Sequence, residues 1–77
     1  MASTLIKTGV IEVHDRQYQV RYFENRSAVG MLRYSAEVHI RADDRVILDD
    51  DSLASLEVRT EQLMPATIDS RRLASIA

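Results

Sequence analysis

Two histidines, three consecutive aspartates, three tyrosines and a set of arginines are the side chains in this 77-residue sequence with chemistry to offer. His14 and His39 can hold a transition metal if a carboxylate such as Glu12 or Glu37 joins them, since imidazole nitrogen and carboxylate oxygen are common ligands. Their spacing matches no ligand signature, and strand alternation puts both on an outward face, so they read as surface histidines. Asp49-Asp50-Asp51 offers oxygens to a hard cation, yet it lacks the alternate-residue spacing and the glycine of a calcium loop. Carboxylates at the positive end of a helix explain the run more simply. Tyr18, Tyr22 and Tyr34 share one parity. They can rim a ligand pocket, but core aromatics with hydroxyls reaching water at the sheet edge is the simpler reading.

Arg21, Arg33 and Arg41, with Phe23 among them, fall on the opposite parity and resemble a sheet surface on which bases stack. Glu12 and Glu37 share that parity and repel phosphate, and no aromatic pair accompanies Phe23. Arg71-Arg72 is too short for a basic patch and suits the C-terminal end of a helix. The sequence has no nucleophile elbow and no paired-carboxylate site. With Gly9 and Gly30 as its two glycines, it has no glycine-rich phosphate loop either. The expectation is therefore a protein that is not an enzyme, with no cofactor and no metal.

Composition narrows the field further. The net charge is −2 and arginine supplies nearly all the basic residues. From Leu48 onward, acids outnumber Arg59, Arg71 and Arg72. This mild acidity argues against a general nucleic-acid binder, which needs a net basic face. The absence of cysteine removes disulfide and thiolate chemistry and fits a reducing compartment. The start lacks a basic, then apolar, secretory pattern, and no apolar run approaches the roughly 20 residues of a membrane span. A cytoplasmic location without membrane contact is expected. One small acidic domain over residues 1–77 is expected too, near the lower limit for folding without staples.

The elements that must position these side chains follow from periodicity. Met1 to Thr4 reads as a frayed start. Leu5 to His14 is rich in β-branched residues and Gln17 to Glu24 alternates polar and apolar, so a hairpin turning at Asp15-Arg16 is predicted. That turn sets Val13 opposite Tyr18, Ile11 opposite Val20, Gly9 opposite Tyr22 and Lys7 opposite Glu24. After a loop at Asn25 to Gly30, Met31 to Arg41 forms a third strand with Leu32, Tyr34, Ala36, Val38 and Ile40 on its inner face. Two registers against the second strand keep core with core, one placing Arg21 opposite Glu37, the other Phe23 opposite Arg33.

A polar turn at Ala42 to Arg45 leads to a short fourth strand, Val46 to Leu48, with Ile47 inward against Ile40. Asp51 or Ser52 caps a helix whose Leu53, Leu56, Thr60, Leu63 and Met64 face the sheet. Pro65 interrupts it, and Thr67 then caps a second short helix carrying Ile68, Leu73 and Ile76. The predicted fold is α+β: a three- to four-stranded antiparallel β-meander, a C-terminal helix packed on one face, and a second short helix after Pro65.

This arrangement leaves apolar side chains facing outward. Ile6, Val10 and Phe23 cluster near the open end of the hairpin, Met31 lies beside them, and Val46 and Leu48 point the same way, with Arg21 in their midst. Single exposed apolar residues are ordinary, whereas a contiguous patch marks an interface. Either the last helix folds over this patch, or the patch pairs with a second copy or another protein. The sequence favours a small non-enzymatic interaction or regulatory module that acts as a homodimer. The alternative is a nucleic-acid-binding module on the arginine-bearing face, a partner class the charge disfavours.

Overall fold

A computed structural model describes residues 2–76, with side chains to residue 73. Four strands, β1 (Ala2–Val13), β2 (Arg16–Arg26), β3 (Leu32–Arg41) and β4 (Asp44–Asp50), form an antiparallel meander in sequence order. One helix, α1 (Leu53–Ile76), follows. Sheet and helix make the two layers of an α+β fold.

The first hairpin turns one residue earlier than predicted. His14 and Asp15 both have positive φ, 50° and 65°, as a two-residue turn matching the strand twist requires. His and Asp enter this region more readily than other non-glycine residues, so the turn forms without glycine. The register moves by two residues: Val13 opposes Arg16, Ile11 opposes Tyr18, Gly9 opposes Val20 and Lys7 opposes Tyr22. A shift of two keeps every side chain on its face, so the inward set survives. Gly9 still lies under an aromatic ring, since a Cβ there would meet Tyr22 Cε2 at 3.8 Å. Of the start expected to fray, Met1 lies outside the described residues and Ala2 to Thr4 are paired in β1. Ala2 to Leu5 pair with Phe23 to Arg26 across an irregularity at Ile6, which turns Leu5 to the same side as Phe23.

Strand β3 joins β2 through a tight loop in which the Gly30 N–H donates to the Ser27 carbonyl and Gly30 takes φ 85°. Of the two registers, Arg21 opposite Glu37 is adopted, and Phe23 lies opposite Ser35. The last turn is shorter than predicted: Arg41 opposes Asp44, and β4 absorbs Asp44 and Arg45. A register shift between His39 and Arg41 accompanies it. That one-residue step reverses the fourth strand. Val46 is buried in the core and Leu48 packs against it, while Ile47 is 50% exposed on the other side.

Asp50 and Ser52 join sheet to helix. Ser52 is the N-cap: its carbonyl accepts from the Leu56 N–H at 3.0 Å, and its Oγ lies 3.4 Å from the Ser55 N–H. The Asp50 carboxylate accepts from the Ser52 N–H, Ser55 Oγ and Arg59 Nη1. The Arg59 bond comes first among the causes that hold its pKa far below the usual carboxylate range.

The helix buries Leu56, Thr60, Met64 and Ile68 completely. Residues four apart form one inclined ridge, and this ridge fills the inner face against Val13, Tyr18, Val20, Tyr22, Ala36, Val38 and Val46. The Thr60 hydroxyl donates to the Leu56 carbonyl at 2.7 Å, so the one polar member of the ridge is satisfied. Leu63, expected on this face, lies off the ridge and is 47% exposed. Polar side-chain pairs flank the helix on both sides. Lys7–Glu57 and His14–Asp69 tie it to the β1 side, and Arg59–Asp50 and Arg71–Asp44 to β4. The exposed pairs are screened by water and add little to stability.

Pro65 does not end the helix, and no second helix forms. Proline removes one N–H and crowds the carbonyl four residues back. Met64 and Ile68, both fully buried, hold the segment to the sheet on either side of it. Thr67 is therefore not a cap; its hydroxyl donates to the Leu63 carbonyl at 2.9 Å. Leu73 is exposed, and the side chain of Ile76 lies outside the described residues.

The ridge assignment separates two leucines of equal size. Leu56→Ala should cost about 2–5 kcal/mol through a core cavity, whereas Leu63→Ala should stay within about 1 kcal/mol. Urea denaturation of both variants measures the difference, and similar losses would show that the helix presents another face to the sheet.

Candidate functional site

The helix takes one side of the sheet and, among the described residues, nothing covers the other. Strand alternation and register arrange this outer face in rows. Leu5, Phe23, Ser35 and Asp49 cross the sheet in one row, and Thr8, Arg21, Glu37 and Ile47 in the next. Val10 beside Gln19 and His39 beside Arg45 form the row above.

Glu37 is the electrostatic centre. Its Oε1 accepts from Arg21 Nη2 at 2.5 Å, and its Oε2 accepts from Arg45 Nη1 at 3.1 Å. His39 Nε2 lies 2.9 Å from both Glu37 Oε1 and Arg21 Nη2. Arginine can only donate and a carboxylate can only accept, so this nitrogen serves one of them at a time. Burial alone would raise the Glu37 pKa. The bonds from His39 and Arg21 and the Arg21 charge outweigh it and hold the carboxyl below its usual range. Arg21 also lies over the Phe23 ring, 5.9 Å from its centroid.

Lower on the same face is a depression of about 500 Å³ lined by Met31 and Ile47 with Asn25, Arg33, Ser35 and Asp49. It exists because Ser35 is small and stands between Phe23 on one neighbour and Asp49 on the other. A polar relay fixes its floor: Ser3 Oγ donates to Asn25 Oδ1 at 2.7 Å, and Asn25 Nδ2 donates to Ser35 Oγ at 3.0 Å. Arg33 and Asp49 pair at 3.2 Å at its rim. Arg21, Arg33 and Arg45 are thus balanced on this face by Glu12, Glu37 and Asp49, and each of the three arginines contacts a carboxylate.

Of the residues expected at an interface, Val10 and Met31 are exposed here, Arg21 and Phe23 are half-buried on the outer face, and Ile6 is exposed at the irregularity in β1. Val46 and Leu48 are not part of it, because the register step in β3 turns them to the helix. Arg41, expected among the outward arginines, follows that step and lies opposite Asp44, whose carboxylate accepts from Arg71 on the helix. Leu5, Ile47 and Asp49 belong to the surface and were not anticipated, whereas Ser35 keeps the outward parity that alternation in the third strand gives it. Leu5 and Ile47 depend on the two register steps, which leave no mark in the hydropathy pattern.

The other reactive side chains do not converge. His14 sits in the first turn against Asp69, whereas His39 is on the outer face with Glu37 and Arg21. Among the described residues, no three His, Asp or Glu side chains gather as metal ligands. A second cleft of about 130 Å³ opens where Gly9 leaves space beside Lys7, Tyr22, Glu57 and Glu61. It is smaller than the roughly 300 Å³ at which ligand pockets begin. Its hydrogen bond to Glu57 raises the Lys7 pKa, and burial raises that of Tyr22. Both therefore keep their protons at neutral pH and serve poorly as base or nucleophile. Among the described residues, no helix is long and apolar enough to cross a membrane.

No protein-family model matches the chain, and neither the curated proteins nor the solved structures contain a match. The functional reading therefore rests on the surface itself.

The Glu37 cluster has a pH signature. Its folded pKa lies below the ordinary value of 4.5, so its stabilisation is complete above that value and is lost as pH falls below it. Glu37→Gln should lower the urea midpoint at pH 7, and the gap to wild type should close towards pH 3. A gap that persists unchanged at pH 3 would mean that packing, not charge, holds the cluster together.

Proposed function

We propose that this chain is a small non-enzymatic interaction module that assembles as a homodimer through the outer face of its sheet. The observation that carries the proposal is that face. Leu5, Ile6, Val10, Met31 and Ile47 stand at 41–66% exposure around Phe23 with no layer over them. Pro65 was the one place where the chain could have turned a helix onto this side, and the helix runs straight through it on the other side.

The occupant we favour is a second copy of the chain. The face carries as many arginines as carboxylates, so it neither repels its own image nor attracts polyanions. Four strands about 4.8 Å apart and some eight residues of about 3.3 Å give a patch of roughly 500 Å² in projection. Its corrugated side chains bring the accessible area towards the about 800 Å² per partner of an ordinary stable interface. Closed two-fold assemblies are the commonest oligomers, and a second sheet supplies the apolar layer that the face lacks. Nucleic acid fits less well, because Arg21, Arg33 and Arg45 already contact carboxylates and Phe23 is the one aromatic ring on the face.

Light scattering from micromolar to millimolar concentration tests the proposal. Twice the chain mass is expected for the wild type, and the Val10→Glu/Ile47→Glu variant should dissociate at concentrations at least about tenfold higher, because each charge replaces an apolar side chain that assembly takes out of water. A wild type that stays monomeric throughout would overturn it. Salt-sensitive binding to a single-stranded oligonucleotide would favour the nucleic-acid reading instead.

A further inference from the structure

Building on the homodimer proposal, we infer a specific pairing: the two copies meet about a two-fold axis that runs along the strands between β2 and β3. Each Phe23 then enters the notch over the partner's Ser35, and each Arg21 faces the partner's Glu37.

The rows of the outer face single out this axis. A half-turn about a line parallel to the strands keeps the height of every row and exchanges left with right. The β1–β2 half of one copy therefore covers the β3–β4 half of the other. The two halves differ in a complementary way. On the left, Leu5 and Phe23 make an apolar ridge; on the right, at the same height, lies the depression that Ser35, Ile47 and Asp49 line. The half-turn brings ridge to depression twice, as an isologous interface requires.

The charges obey the same operation. Arg21 and Glu37 are cross-strand neighbours on either side of the proposed axis. The half-turn sets each arginine over the partner's carboxylate and each carboxylate under the partner's arginine. The result is a square of alternating charge with Thr8 and Ile47 outside it. The competing axis, across the strands through this row, sets arginine on arginine and carboxylate on carboxylate. Like charges in contact are how interfaces exclude a wrong register. Sheets stacked face to face keep their strands within about 30° of each other, so the rows stay matched near the axis.

Two experiments test the axis. Arg21→Glu and Glu37→Arg should each associate at least about tenfold more weakly than wild type, because each alone places like charges across the interface. Mixed in equal amounts, they should form a one-to-one heterodimer, since one pairing then sets the introduced glutamate over the introduced arginine and the other sets the native Glu37 over the native Arg21. Strain within one chain does not explain such a rescue, because mixing leaves it unchanged.

The second experiment does not disturb this cluster, and the cysteine-free sequence makes it clean. Leu5 and Asp49 lie at opposite edges of one row, three strand spacings or about 14 Å apart, and the axis brings Leu5 over the partner's Asp49. A short bis-maleimide should link a mixture of Leu5→Cys and Asp49→Cys chains and leave each variant alone unlinked. Efficient self-linking of Leu5→Cys would overturn the axis while leaving the dimer standing. An absence of dimers by light scattering would overturn both.

Discussion

Leu56, Thr60, Met64 and Ile68 lie on one ridge, and the sheet has one face for them to fill. Everything else about the molecule follows from that single contact between layers. A helix buries one stripe, and a sheet offers two faces. The chain has enough apolar surface on its helix to seal one side of the strands, so the other side keeps its side chains in water. The same contact carries the helix through Pro65. The buried residues before and after it gain more from the sheet than proline removes from the backbone.

The uncovered face is organised rather than merely left over. Glu37 gathers Arg21, Arg45 and His39, Asp49 pairs with Arg33, and a hydrogen-bonded relay from Ser3 through Asn25 to Ser35 crosses three strands. Apolar side chains surround these groups, and charge of one sign nowhere predominates. A solvated face has little need of a half-buried carboxylate shared by two arginines and a histidine. Such an arrangement suits a surface that gives up its water on assembly, where charges already paired lose less on desolvation.

Much of the fold was legible in the sequence because strand and helix periodicities are local. The inward set Ile11, Val13, Tyr18, Val20, Tyr22, Ala36 and Val38 came from alternation and is present, even though the first turn was misplaced. A turn error of one residue moved the register by two, and parity protected the faces. The N-cap, narrowed to Asp51 or Ser52, and the first half of the helix stripe were equally readable. Leu63 was not: it satisfies helical periodicity as well as Met64 does, and the narrowness of the ridge excludes it. The fourth strand failed for a different reason. Val46-Ile47-Leu48 is apolar throughout, so no alternation marks which face is inward.

The sequence by itself determined the order of the strands, the parity of the first three and the position where the helix begins. Each depends on the neighbours of a residue along the chain. Only the tertiary structure decided the steps at Ile6 and beside Ile40, the orientation of Val46, Ile47 and Leu48, and the fate of Pro65. A one-residue step in a ladder reverses the faces beyond it. Whether it occurs depends on how a turn closes and on what the strand packs against, not on the residues of that strand. Continuation through proline likewise depends on buried contacts with strands distant in sequence. The outer face with Leu5, Phe23, Ser35, Glu37 and Ile47 on it is the product of those decisions.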